Sequence, residues 1–179
     1  KYNKYFSKDN KYITDFFNVK LEEHKETLLL TKTLYNEYLN DDINENFFIK
    51  KYINIIDKEN YSNLIINELI ENNKYLLNMH ELIEKNYKEL FELDISKLDL
   101  DYVFIKIKEK KYSLHESLLI DFITNIKNTT DTYLTELSKI YNKILKRDPD
   151  INENDNNIKI YRKDNNIEIT NQFILNDLL

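Results

Sequence analysis

Three histidines and a scatter of carboxylates are the side chains here with the chemistry for metal binding or proton transfer, and spacing tests each of them. A di-iron site in a helical bundle needs a glutamate three residues ahead of its histidine. Ahead of His24, His80 and His115 those positions hold Leu21, Leu77 and Tyr112. The run His80-Glu81-Leu82-Ile83-Glu84 opens like a zinc-protease helix but carries Glu84 where the second histidine must stand; His115-Glu116 has Leu119 there. Asp148-Pro149-Asp150-Ile151-Asn152-Glu153-Asn154 alternates oxygen ligands as a calcium loop does. Glu153, however, takes the place of the sharp-turn glycine, and Lys159 that of the closing bidentate glutamate. The stretch reads as an acidic, Asn-rich connector, and no metal or cofactor is expected.

Covalent catalysis has no better footing. The chain has no cysteine and no glycine, so it can form neither a thiolate nucleophile nor a Gly-x-Ser-x-Gly elbow, and it has no phosphate-cradling loop. Its few serines sit mostly at helix starts, and carboxylate pairs such as Glu22–Glu23 suit a solvated face. The expectation is a protein that is not an enzyme. Asn60-Tyr61-Ser62 and Asn128-Thr129-Thr130 match the glycosylation triplet, as so Asn-rich a chain does by chance.

The elements that must carry these residues are helices. At 179 residues with 41% hydrophobic and 32% charged residues, the chain is long enough for one well-buried domain, 1–179. Four stretches repeat apolar residues at helical spacing. The first, 9–40 with Asp9 as its cap, has the seam Phe17, Leu21, His24, Leu28, Thr31, Tyr35, Tyr38; a shorter one, 42–59, starts at an Asp42/Glu45 capping box. The third, 62–93, runs Ile66, Leu69, Asn73, Leu76, His80, Ile83, Tyr87, Leu90. The fourth, 113–147, opens with Ser113/Glu116, continues through Leu119, Ile123, Ile126, Thr130, Tyr133, Leu137, Ile140 and Ile144, and must end before Pro149. Residues 97–111 read as helix in preference to strand. At about 1.5 Å per residue the three long helices would each span roughly 45–50 Å, and matched lengths favour an up-and-down bundle of about four aligned helices. Residues 148–179 form a connector and tail. Within it Asp155-Asn-Asn-Ile-Lys-Ile160 recurs as Asp164-Asn-Asn-Ile-Glu-Ile169, which suits a short hairpin or a mobile tail.

Polar residues interrupt these seams: His24 and Thr31 in the first, Asn73 and His80 in the third, Thr130 in the fourth. Unpaired and buried, each would cost on the order of 1–3 kcal/mol, so either they pair and set helix register or they mark a core that can open, with acid favouring the open form if the two imidazoles are buried neutral. The chain also lacks alanine, and without small residues to plug gaps between Leu, Ile, Phe and 14 Tyr, an internal apolar cavity is expected, open to an apolar ligand. Net charge −6 with only two arginines, Arg147 and Arg162, argues against nucleic acid, and no segment is long and apolar enough to span a bilayer. The start at Lys1 reads as a piece of a longer precursor, and a cysteine-free chain suits the cytosol without excluding secretion.

Residue usage without Ala or Gly, rich in Lys, Asn, Ile and Tyr and with runs such as Asn152–Asn157, follows AT-rich codons and resembles proteins of malaria-type apicomplexan parasites. In size, composition and architecture the chain resembles the sporozoite cell-traversal proteins of the microneme, small secreted helical bundles. The resemblance implies secretion, a part in breaching host-cell membranes, and a host membrane or a host or parasite protein as partner. The alternative is a soluble protein–protein interaction module or scaffold.

Overall fold

The computed structural model describes residues 15–56, 59–164, 171–172 and 174–176, and every regular element among them is helical. In chain order these are α1 (15–23), α2 (Lys25–Leu39), α3 (Glu45–Tyr52), α4 (Tyr61–Ile70), α5 (Asn73–Phe91), α6 (Lys97–Lys110), α7 (Leu119–Leu145) and α8 (Ile151–Asp164), and residues 171–172 and 174–176 are helical as well. The stretch read as helix in preference to strand forms the body of α6. The suggested cap at Asp9 and the second half of the Asp-Asn-Asn repeat, 165–169, lie outside the described residues.

Side-chain caps start several helices. Asn44 Oδ1 accepts from the Phe47 N–H at 2.9 Å, and Ser96 Oγ accepts from the Asp99 N–H at 3.1 Å. At α8 the Glu153 N–H donates to Asp150 Oδ1 at 2.9 Å while the Asp150 N–H donates to Glu153 at 2.7 Å, a reciprocal capping box. Helix ends pose a harder problem, because a left-handed residue commonly closes a helix and this chain has no glycine to supply it. Asn40, Glu92, Lys111 and Lys146 take that conformation instead, with φ of 49°, 56°, 56° and 58°.

Several expected boundaries need correction. His24 sits in a turn between α1 and α2, so 9–40 is not one unbroken helix. The second helix begins after Asn44, not at Asp42, whose carboxylate is taken by the adjacent Ile43 N–H at 2.8 Å; it ends at Tyr52, well short of 59. The third is two helices. Asn72 donates its N–H to the Leu69 carbonyl and accepts from the Lys74 N–H, closing α4 and capping α5. That break resets the helical phase, and the inward face of α5 becomes Tyr75, Met79, Ile83 and Tyr87. Residues 113–118 are turns, with the Ser113 carbonyl accepting from the Glu116 N–H, and α7 starts at Leu119. The stretch 155–160 is neither hairpin strand nor loose tail but the middle of α8, because Ile158 and Tyr161 are buried at helical spacing behind the capping box.

The chain divides into two compact units, Lys1–Leu82 with Phe104–Glu116, and Ile83–Val103 with Ser117–Leu179; the divisions fall within α5, within α6 and in the turn before α7. In the first, α2 packs on α3 and α4. Phe48, Tyr52, Ile65, Leu69, Tyr75 and Met79 are fully enclosed there, each such side chain contributing about 1.5–3 kcal/mol over an exposed one. The turn after α6 is bound to this core by tyrosines: Tyr38 donates to the Lys111 carbonyl and Tyr75 to the Tyr112 carbonyl, both at 2.7 Å. These carbonyls lie where a helix end leaves acceptors unfilled. In the second unit α7 packs on α8, and Tyr133, Leu137, Tyr141, Ile158, Tyr161 and Ile174 form one apolar cluster. Tyr133 and Tyr161 stack there with ring centroids 4.3 Å apart.

Candidate functional site

The five polar residues singled out in the seams have different fates. Thr31 is fully buried and its hydroxyl meets the Tyr61 hydroxyl at 2.7 Å while donating to the Thr27 carbonyl at 2.6 Å. Thr130 is buried and accepts from Arg162 at 3.4 Å. Asn73 is exposed, a correction that follows from the phase reset at Asn72. His24 is half-buried at the α1–α2 turn. His80 is half-buried with its ring edge-on to Phe104 at 4.7 Å, and its enclosed Nε2 has no hydrogen-bond partner among the described residues. The five are thus not gathered into one polar core; the two threonines join separate networks, one in each unit.

In the first unit the network continues beyond Thr31. The Tyr35 and Tyr52 hydroxyls meet at 2.5 Å, Lys51 donates to Tyr35 at 3.2 Å and pairs with Glu68, and Tyr52 donates to Glu68 at 3.3 Å. A lysine beside tyrosines is an arrangement that can make a tyrosine a base, which requires its pKa to come down. Here burial, then the hydrogen bond with Tyr35 and the nearby Glu68, push Tyr52 up. Burial raises Tyr38, Tyr61 and Tyr75 as well. These hydroxyls hold their protons and serve as donors within a packed core. Among the described residues no three His, Cys, Asp or Glu side chains come together as metal ligands.

The second unit holds a cleft of about 230 Å³, open on one side. Val103 of α6, Ile123, Ile126 and Leu134 of α7, and Ile158 of α8 give it apolar walls, and Leu93, 55% exposed, lines it too. The expected cavity was internal; this one reaches the surface beside charged Lys127 and Asp131. Its polar lining is ordered. Arg162, whose side chain is only 7% exposed, forms an ion pair with Asp99, donates to the Leu98 carbonyl at 3.4 Å, and lies over the Tyr102 ring at 4.2 Å. Lys127 pairs with Asp131 one turn along α7 and lies over the Phe91 ring at 5.9 Å. Tyr87, buried, also lines the cleft; burial, with Asp99 and Asp131 adding and Arg162 opposing, pushes its hydroxyl up to about 12.

Sequence reasoning missed Arg162 and the polar end of Tyr87. Arg162 lay in a stretch taken for connector, although Asp150-x-x-Glu153 followed by Ile158 and Tyr161 spells a capped amphipathic helix. Tyr87 counted only as an apolar seam residue. No protein-family model matches the chain, and no curated protein or solved structure matches it either.

Proposed function

We propose that this protein is a non-catalytic helical binder of a small, mainly apolar molecule, and that the cleft of the second unit is where it binds. One observation carries this reading: a half-enclosed apolar space walled by three helices, with a few fixed polar groups converging on it. Its size suits a ligand somewhat larger than the benzene that an empty apolar cavity of about 150 Å³ admits. The ion pair Arg162–Asp99 ties α8 to α6, so that side of the cleft is set before any ligand arrives, while Lys127–Asp131 lies within one turn of α7. Such preorganisation spares a ligand the entropy of ordering its own site.

Titration with ethylbenzene, followed by NMR of the isoleucine methyls, tests this. Shifts concentrated at Ile123, Ile126 and Ile158, and lost when Ile126→Phe fills the cleft, support it. Shifts spread over the surface, or none, refute it.

A second reading, contact with a lipid surface in the service of membrane breach, is favoured by α1 and α2. Phe16, Val19 and Leu29 stand 56%, 55% and 66% exposed on them. Between residues 15 and 33 three lysines (Lys20, Lys25, Lys32) face four carboxylates (Asp15, Glu22, Glu23, Glu26), so insertion would rest on apolar area and not on attraction to anionic lipid. Binding to zwitterionic vesicles that Phe16→Ser/Leu29→Ser abolishes supports it; no binding sinks it.

A further inference from the structure

The two cations lining the cleft are already committed, Arg162 to Asp99 and Lys127 to Asp131, so two positive and two negative groups balance. The Arg162 Nε–H has no hydrogen-bond partner among the described residues but is itself enclosed, so an anionic ligand would find no exposed, unpaired cation, and burying an unpaired charge is costly. What the cleft does have to spare are hydroxyl protons. On α7 the hydroxyls of Thr129, Thr132 and Thr135 each donate to the carbonyl four residues back, at 2.8, 2.9 and 2.9 Å. Thr130 departs from this pattern. Its oxygen accepts from Arg162, and its own proton has no acceptor among the described residues. The Tyr87 hydroxyl likewise has no hydrogen bond to a described residue, although the side chain is only 7% exposed. The Tyr87 oxygen is not among the enclosed atoms without a partner, so its proton is open to solvent or to a ligand, and a ligand that displaces water from it must supply the acceptor.

We infer that the cleft takes a small, uncharged, mainly apolar molecule bearing one accepting oxygen, such as a ketone or ester carbonyl, which receives the protons that Tyr87 and Thr130 have to give. This rests on the reading of the cleft as a ligand site and adds the ligand's chemical class. The apolar walls supply most of the binding, and the hydroxyls supply selectivity. Asp99 and Asp131 raise the cost of negative charge at Tyr87, which turns the site further against carboxylates.

Three probes of similar size decide the matter on the full chain: acetophenone, ethylbenzene and benzoate. The chain has two arginines, so the Nε–H region of a ¹H–¹⁵N spectrum reports on Arg162 at the cleft, with Arg147, paired with Glu153, as a built-in control. Acetophenone is expected to bind roughly two- to tenfold more tightly than ethylbenzene, the worth of one or two net hydrogen bonds, and to shift Arg162 but not Arg147. Benzoate is expected to bind at least about tenfold more weakly than acetophenone. In Tyr87→Phe/Thr130→Val the preference for acetophenone over ethylbenzene disappears while ethylbenzene still binds. If the double variant does not fold, Tyr87→Phe alone decides, because it removes a hydroxyl that bonds to no described residue and should at least halve the preference. Equal binding of acetophenone and ethylbenzene by the parent overturns the inference and leaves the cleft reading intact, as does tightest binding by benzoate. Binding by none of the three overturns both.

Discussion

Four helix ends in this glycine-free chain are closed by residues whose side chains oppose the conformation they hold, and replacing them should stabilise the protein. An L-residue in the left-handed region costs about 1–2 kcal/mol, and glycine gives back about 0.5–1 kcal/mol of that through its freer unfolded chain. The net gain is therefore about 0.5–1 kcal/mol at Glu92, Lys111 or Lys146, where φ lies between 56° and 58°. All three side chains are exposed, so substitution leaves the core untouched. The backbone bonds that close these ends, such as Tyr112 N–H to the Ile107 carbonyl at 3.3 Å, do not depend on the side chain. If the sites act independently, Glu92→Gly/Lys111→Gly/Lys146→Gly gains about 1.5–3 kcal/mol, which for a chain of this length raises the melting temperature by roughly 3–12 °C. Thermal and urea melts followed by circular dichroism measure it. Asn40→Gly is the internal control: asparagine tolerates this conformation, and its Oδ1 lies 3.1 Å from the His115 ring, so its gain should be close to zero. A triple variant no more stable than the parent, or an Asn40→Gly gain as large as the others, would refute the reasoning.

Thr31→Val strips the buried Tyr61 hydroxyl of its partner and should cost about 1–3 kcal/mol; adding Tyr61→Phe should recover part of it, and a double-mutant cycle showing strict additivity would contradict the hydrogen bond. His80→Leu deletes an enclosed nitrogen with no partner among the described residues while keeping a ring neighbour at Phe104, so its melting temperature should rise by a few degrees, and a clear fall would count against that account. Glu153, hydrogen-bonded by Arg147 and by the Asp150 N–H, is held down at about 2 from its usual 4.5. Because the folded value is the lower one, its stabilising contribution is complete above pH 4.5 and fades as pH falls towards 2. Melts between pH 6 and pH 2.5 should show Glu153→Gln less stable than the parent at the upper end and less acid-sensitive; parallel pH curves would refute the linkage.

How much of this was readable in advance depends on the kind of signal. The helical class, the α7 seam from Leu119 through Ile123, Thr130, Tyr133 and Leu137, and the stop before Pro149 follow from period and local sterics, which act over a few residues and are written into the chain. The polar lining of the cleft was harder to see. Arg162 meets Asp99 across 63 residues, and no local pattern announces such a pair. Asn73 went astray for a related reason: seam counting assumes an unbroken helix, and one asparagine cap at Asn72 turned the following face away.

What the sequence determined by itself is therefore the material: helices, since the apolar period is close to 3.6 and no glycine loosens the backbone; tyrosine-rich cores, since no alanine or tryptophan is present to fill them; and helix ends closed under strain. What only the tertiary structure decided is which polar groups satisfy one another. Packing brought Thr31 to Tyr61 and Tyr38 to the Lys111 carbonyl, and it bound both cleft cations to carboxylates while leaving the Tyr87 and Thr130 protons without a described acceptor. A hydrogen bond or an ion pair exists only when distance and angle are met together, and distances between residues far apart in the chain are set by the packing of whole helices.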